Sequence, residues 1–126
     1  MAASARTPEE LHHLWGEYFV AGDLDGLVSL YEPDAAFVAQ SGASVTGLRA
    51  IREVLARFIE SRRNFEIEVG RAIHTGDLAL LVSSWKLEGE QRGEPFETTG
   101  RTADVVRRQP DGSWRLVIDS PYGEGA

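Results

Sequence analysis

The sequence predicts an α+β fold, with helices covering one face of an antiparallel sheet. Three observations predict it. Apolar residues recur at helical spacing through the first half of the chain. After Arg63 the apolar period drops from 3.6 to 2, the signature of half-buried strands. The long strand-like stretches that follow are joined by short turns such as Thr75-Gly76-Asp77 and Gln109-Pro110-Asp111-Gly112.

Each element has its own justification. Thr7, Pro8, Glu9 and Glu10 read as an N-cap, an N1 proline and capping acids. Leu11, Leu14, Trp15, Tyr18 and Phe19 then form one apolar face, and Gly22 stops the helix. Asp23 caps a second, shorter helix in which Leu24, Leu27, Val28 and Tyr31 share a face; Pro33 is expected to end it. Ala35–Ala39 and Ala43–Thr46, around Ser41 and Gly42, suggest a small hairpin. A third helix is predicted from Leu48 to Glu60, with Ile51, Leu55, Phe58 and Ile59 inward. Phe65, Ile67 and Val69 alternate with polar residues as a strand. Leu78–Leu87 is nearly continuous apolar sequence and reads as a strand buried on both faces. A polar loop is expected over Glu88–Pro95, then strands over Phe96–Arg108 and Ser113–Asp119.

Composition bounds the function. The chain has 126 residues, enough for one domain with its own core, at 42% hydrophobic and 26% charged residues. The expected organisation is a disordered N-terminus over 1–6, one domain over 7–120 and a flexible tail over 121–126. The absence of cysteine removes thiol nucleophiles, zinc-thiolate sites and disulfides. A net charge of −7 argues against nucleic acid or an anionic membrane as partner. No apolar run approaches the roughly 20 residues of a membrane span, and Met1–Arg6 lacks a signal-peptide stretch, so a cytoplasmic protein is expected. No metal and no cofactor is expected: the three histidines show no ligand spacing, and no Gly-rich phosphate loop follows a strand.

The segment Gly22-Asp23-Leu24-Asp25-Gly26-Leu27-Val28-Ser29-Leu30-Tyr31, with Asp34-Ala35-Ala36-Phe37, resembles the opening of the nuclear transport factor 2-like superfamily, in its SnoaL-like and ketosteroid isomerase-like branch. Trp114-Arg115-Leu116-Val117-Ile118-Asp119-Ser120 is similar to its last strand. The resemblance implies a cone-shaped, cystatin-like roll: three N-terminal helices on a curved antiparallel sheet, an apolar pocket open at one end, and a homodimer through the outer sheet face. Such a fold hosts many chemistries, so it does not assign one.

The isomerase mechanism needs a carboxylate base, a tyrosine donor and a protonated acid. Carried over through the resemblance, these roles fall on Ala39, Trp15 and Asp104. Alanine cannot move a proton, so ketosteroid isomerisation itself is not expected. Asp104 interrupts an apolar strand, and a carboxylate there is costly unless paired or protonated. It is the candidate acid or base; the alternative is a structural carboxylate. By parity Arg71 shares the inward face of Phe65, Ile67 and Val69, unless Gly70 marks a bulge that turns it to solvent. Parity puts Asp119 opposite Trp114, Leu116 and Ile118, hence outward if those three face the core. His12 and His13 fall off the apolar stripe and are expected to be solvated.

The candidate pocket set is Trp15, Tyr18, Phe19, Tyr31, Phe37, Phe58, Arg71, Leu81, Ser83, Trp85, Thr102 and Ile118. Apolar walls with a few polar groups suit a small hydrophobic ligand with one oxygen function. Three functions follow: a SnoaL-like cyclase or isomerase using Asp104; a non-catalytic dimer that binds a small ligand or a partner protein; or epoxide-hydrolase-like water activation by Asp104 with Arg71. The dimer face is expected to include Ala79, Ala103 and Val105, with Leu78 or Val82.

Overall fold

A computed structural model describes residues 4–123. Helix α1 runs Pro8–Ala21. The Thr7 Oγ1 atom accepts the Glu10 N–H at 3.1 Å, and Gly22, at φ 73°, closes the other end. Helix α2, Leu24–Val28, is capped by Asp23, whose Oδ1 accepts the Gly26 N–H at 2.9 Å.

Helix α2 stops before Tyr31, contrary to expectation. Tyr31 opens strand β1 (Tyr31–Val38), where it pairs with Leu116, and Pro33 lies inside that strand. Proline is tolerated because the ladder is already broken there: the register shifts between Tyr31 and Ala36. Strand β2 (Ser44–Thr46) completes the small hairpin, and α3 spans Leu48–Ser61 with Ile51 and Leu55 buried.

Strands β3 (Arg62–Thr75), β4 (Leu78–Gln91), β5 (Glu94–Arg108) and β6 (Trp114–Asp119) follow. The loop expected over Glu88–Pro95 is absent. Strands β4 and β5 pair as far as Gln91 and Glu94, and Arg92 and Gly93 make a two-residue turn at φ 54° and 79°. Two positive φ values match the twist of a tight hairpin, so the ladder extends to its tip.

The sheet order is β2-β1-β6-β5-β4-β3. It is mostly antiparallel, but β1 and β6 run parallel, which the sequence reading did not anticipate. The helices pack on its inner face, where Leu11, Phe19, Leu27, Tyr31, Ile51, Leu55, Leu81 and Leu116 form the core. No helix among the described residues is long and apolar enough to cross a membrane.

The expected disorder over 1–6 does not hold at Ala5 and Arg6. Ala5 is buried and its carbonyl accepts the Trp114 N–H at 2.9 Å, while the Arg6 N–H donates to Glu10. Residues 1–3 lie outside the described residues. At the other end Pro121, Tyr122 and Gly123 form a turn rather than a loose tail: the Pro121 carbonyl accepts the Trp85 indole N–H at 2.7 Å, and Tyr122 packs edge-on to Trp85. The rest of the expected tail, 124–126, lies outside the described residues.

Two strand irregularities redirect side chains. On β3, three steps from Val69 to Ala72 face two steps from Ser83 to Leu81, so one extra residue is inserted at Gly70-Arg71. On β6, Leu116 and Ile118 face the adjacent Val106 and Val105, so Val117 is the extra residue. Each bulge flips the parity of everything beyond it. Gly70 is required at the first: a Cβ there would stand 2.1 Å from the Val82 carbonyl oxygen. Gly70→Ala is expected to destabilise the fold by about 1–3 kcal/mol, the range for forced overpacking, read from the urea unfolding midpoint. An unchanged midpoint would mean that the bulge absorbs the methyl group.

Candidate functional site

One face of α1 supplies His12, Trp15 and Phe19, spaced three and four apart and so stacked along the helix. Gly16, on the same side, brings the helix against β3, where an added Cβ would stand 3.1 Å from Ile67. Across from this face, Ser83 on β4 pairs with Thr102 on β5, Leu81 pairs with Asp104, and Phe37 on β1 pairs with Asp119 on β6. Between helix and sheet lies a cavity of about 70 Å³. Its wall is apolar and largely aromatic: Trp15, Phe19, Phe37, Phe58, Phe65, Ile67, Trp85, Leu87, Pro121 and Tyr122. Its polar lining is His12, Thr102, Asp104 and Asp119.

A continuous hydrogen-bonded chain runs behind and through this lining. The Gly70 N–H, freed from the ladder by the β3 bulge, donates to Ser83 Oγ at 3.1 Å. Ser83 Oγ stands 2.6 Å from His12 Nδ1, and His12 Nε2 stands 2.7 Å from Asp104 Oδ2. Asp104 Oδ1 accepts the Ser120 N–H at 2.7 Å, and the Asp104 and Asp119 carboxyl groups hydrogen-bond to each other. The Tyr31 hydroxyl donates to Asp119 Oδ2 at 2.5 Å and accepts the Trp15 indole N–H at 3.0 Å.

Burial sets the charges. Asp104 is 2% exposed. Burial pushes its carboxyl up to about 7, against the opposing pull of the Ser120 N–H and the Asp119 hydrogen bond. Burial, reinforced by the negative charge on Asp104, raises Asp119 well above the carboxylate range. Two carboxyls in contact cannot both ionise readily, so the pair holds a shared proton at neutral pH, with Asp119 the tighter holder. Burial lowers His12 to about 4, so its contact with Asp104 at neutral pH involves an uncharged imidazole and is not an ion pair. Burial and the adjacent Asp119 charge raise the Tyr31 phenol well above its ordinary value, so it stays a donor.

The chain has two internally consistent proton arrangements. With Asp104 ionised, His12 Nε2–H donates to it and Ser83 O–H donates to Nδ1. With Asp104 protonated towards His12, both bonds reverse and Nδ1–H donates to Ser83. The imidazole is neutral in both, so Asp104 can gain or lose a proton without creating a second buried charge.

The structure distributes the expected pocket residues unevenly. Trp15, Phe19, Phe37, Phe58, Trp85, Thr102 and Asp104 line the cavity. Tyr31 and Ser83 sit just behind the wall, joined to it by hydrogen bonds. Leu81 is fully buried in the core, and Tyr18 is half-buried beside Gly26. Arg71 is exposed, because the bulge at Gly70-Arg71 turns it to solvent, and this overturns an arginine-assisted water activation. Ile118 is 37% exposed and Asp119 only 5%, the reverse of the parity expectation, because Val117 is the extra residue. His12 is 3% exposed and joins the site, where solvation was expected. Its spacing from Trp15 and Phe19 was the available signal. Ala79 is buried and faces the core, not a dimer face. Among the described residues no group of three or more His, Cys, Asp or Glu side chains is arranged to hold a metal ion.

The pH dependence of stability follows from these shifts. His12 titrates near 6.5 in the unfolded chain and near 4 in the fold, so it adds little slope above about pH 7.5. Asp104 and Asp119, raised in the fold, bind more protons folded than unfolded; the Asp104 contribution lowers stability as pH rises from about 4 to about 7, and the more strongly raised Asp119 carries the fall beyond that. Between pH 6.5 and about 4 the His12 contribution opposes this, because the unfolded chain then binds its proton and the fold does not. The urea midpoint is therefore expected to fall as pH rises above about 7, where Asp119 alone still holds its proton, and Asp119→Asn is expected to flatten that fall. A wild-type midpoint constant over this range would contradict the buried proton.

A model of the SnoaL-like domain family matches residues 11–117. Solved structures share the fold. A ketosteroid isomerase-like protein from Erwinia carotovora atroseptica is 16% identical, with 88% of each chain covered and a TM-score of 0.74. A nuclear transport factor 2-like protein with a cystatin-like fold from Novosphingobium aromaticivorans is 20% identical, with 94% of this chain and 80% of that chain covered and a TM-score of 0.71. A conserved protein from Planctomyces limnophilus is 17% identical, with 87% and 88% covered and a TM-score of 0.76. Among curated proteins, none matches this sequence.

Proposed function

For this chain, which belongs to the SnoaL-like domain family, we propose general acid–base catalysis on a small, mostly apolar carbonyl compound bound in the cavity. One observation carries the reading: Asp104, buried at the cavity wall, is hydrogen-bonded to the Asp119 carboxyl and to a neutral His12. A carboxyl group near 7 is poised both to take and to give a proton at neutral pH. In the proposed step Asp104 removes a proton from the carbon next to the carbonyl. Asp119 donates its proton to the carbonyl oxygen, leaving an enol, and the return of that proton to Asp119 lets Asp104 deliver its own to another carbon. Isomerisation and cyclisation both start this way. The apolar wall supports the step, because electrostatic interactions strengthen where water is excluded.

The test needs no knowledge of the product. Wild-type protein in D2O is expected to accelerate exchange of the α-protons of 2-tetralone, followed by NMR. Asp104→Asn is expected to slow that exchange by at least about 100-fold, the lower range of a lost general base. Wild-type exchange no faster than buffer would remove the catalytic reading.

A second reading, a dimeric ligand-binding protein without turnover, is favoured by the outer sheet face. Ile73, Leu80, Val105 and Ile118 are consecutive cross-strand partners over β3, β4, β5 and β6, and three of them are large exposed apolar residues. No helix among the described residues covers this row, and exposed apolar patches mark interaction surfaces. Sedimentation is expected to give a dimer at micromolar concentration and a monomer for Leu80→Lys; a monomeric wild type would count against it.

A further inference from the structure

Thr102 Oγ1 is the buried side-chain polar atom that has no hydrogen-bond partner among the described residues. Thr102 is 7% exposed and lines the cavity. Buried polar groups are almost always satisfied, so this exception calls for a reason. Its neighbours are already engaged. Ser83, its partner across β4–β5, is turned to Gly70 and His12. Asp104, two positions along the same face, is taken by His12, Ser120 and Asp119. A β-branched side chain on a strand has little χ1 freedom, so the hydroxyl is held where it stands.

We propose that Thr102 is the anchor for the oxygen of the ligand, and that the ligand is an uncharged, mostly apolar ring compound carrying a ketone or hydroxyl group. The inference rests on the reading of the cavity as a ligand site, but not on turnover. Among the described residues no lysine or arginine is part of the wall, so a carboxylate or phosphate would have no counter-charge beside two carboxyl groups. The aromatic wall selects rings by stacking and edge contacts. Thr102 and Asp104 are successive side chains on one strand face, about 6.6 Å apart. An oxygen seated on Thr102 therefore directs the adjoining carbons toward Asp104. Thr102 is thus a specificity-determining residue that orients the molecule on which Asp104 acts.

The experiment compares two probes of one shape, p-cresol and p-xylene, titrated into wild type, Thr102→Val and Thr102→Ser. The indole N–H signals of Trp15 and Trp85, both in the wall, report binding by NMR. Wild type is expected to bind p-cresol at least tenfold tighter than p-xylene. Thr102→Val is expected to lose that preference and Thr102→Ser to keep it. The Thr102→Val urea midpoint is expected to equal or exceed that of wild type, because the change removes an unpaired hydroxyl at nearly constant volume. Undiminished p-cresol binding by Thr102→Val, or a lowered midpoint that reveals a structural partner, overturns the inference. If neither probe binds wild type, the inference falls together with the ligand-site reading. If the preference holds but 2-tetralone exchange is not accelerated, the inference stands and only catalysis is lost.

Discussion

A carboxyl group at 2% exposure is the constraint around which the rest of this structure is organised. An isolated carboxylate in an apolar interior is prohibitively costly, so Asp104 must be supplied with donors or with a proton. The fold supplies both. The Ser120 N–H comes from the turn after β6, the imidazole from α1, and a shared proton from Asp119. Those partners have needs of their own. Asp119 takes the Tyr31 hydroxyl, Tyr31 takes the Trp15 indole, and His12 takes Ser83, which in turn takes the Gly70 N–H. One buried acid thereby ties together α1, β1, β3, β4, β5 and β6.

The same network holds a buried acid without a fixed cation. A buried charge held by a fixed cation would be locked. Here no lysine or arginine among the described residues lines the cavity, and the imidazole stays neutral at neutral pH. The two His12 hydrogen bonds can run in either direction with the imidazole neutral, whereas the Ser120, Gly70 and Trp15 N–H groups only donate. The aromatic wall surrounds the two acids with apolar groups, and that burial is the main cause of their shifts. The C-terminal turn does two things at once: Ser120 holds Asp104, and Pro121 with Tyr122 packs on Trp85 at the wall. Gly100 permits that packing, since a Cβ there would stand 2.6 Å from the Trp85 ring.

The bulges are as much a part of the site as its side chains. Without the extra residue at Val117, β6 would point Ile118 inward and Asp119 to solvent, and Asp104 would lose its proton-sharing partner. Without the extra residue at Gly70-Arg71, Arg71 would share the inner face of Phe65, Ile67 and Val69 instead of facing solvent. The β3 bulge also frees the backbone N–H that orients Ser83. One bulge thus turns Asp119 inward and the other turns Arg71 outward.

The sequence by itself determined the α+β class, the helix caps at Thr7, Gly22 and Asp23, the strand order along the chain, and the single most informative position, Asp104. These are local or periodic properties: capping residues act within one turn, and burial periodicity survives whatever the neighbours are. It also carried the aromatic wall, since Trp15, Phe19, Phe37, Phe58 and Trp85 read as inward from spacing alone. What only the tertiary structure decided was the company Asp104 keeps. Parity counting fails at a bulge, because one inserted residue inverts every side chain beyond it, and nothing in Leu116-Val117-Ile118 marks the insertion. His12 lies inside because a polar side chain at the edge of an apolar stripe is solvated or buried according to what the opposing strand offers. Ser83 and Asp104 reach that place only through pairing of residues more than 70 positions away in the chain. Local sequence sets which faces are apolar; long-range register sets which polar groups meet inside them.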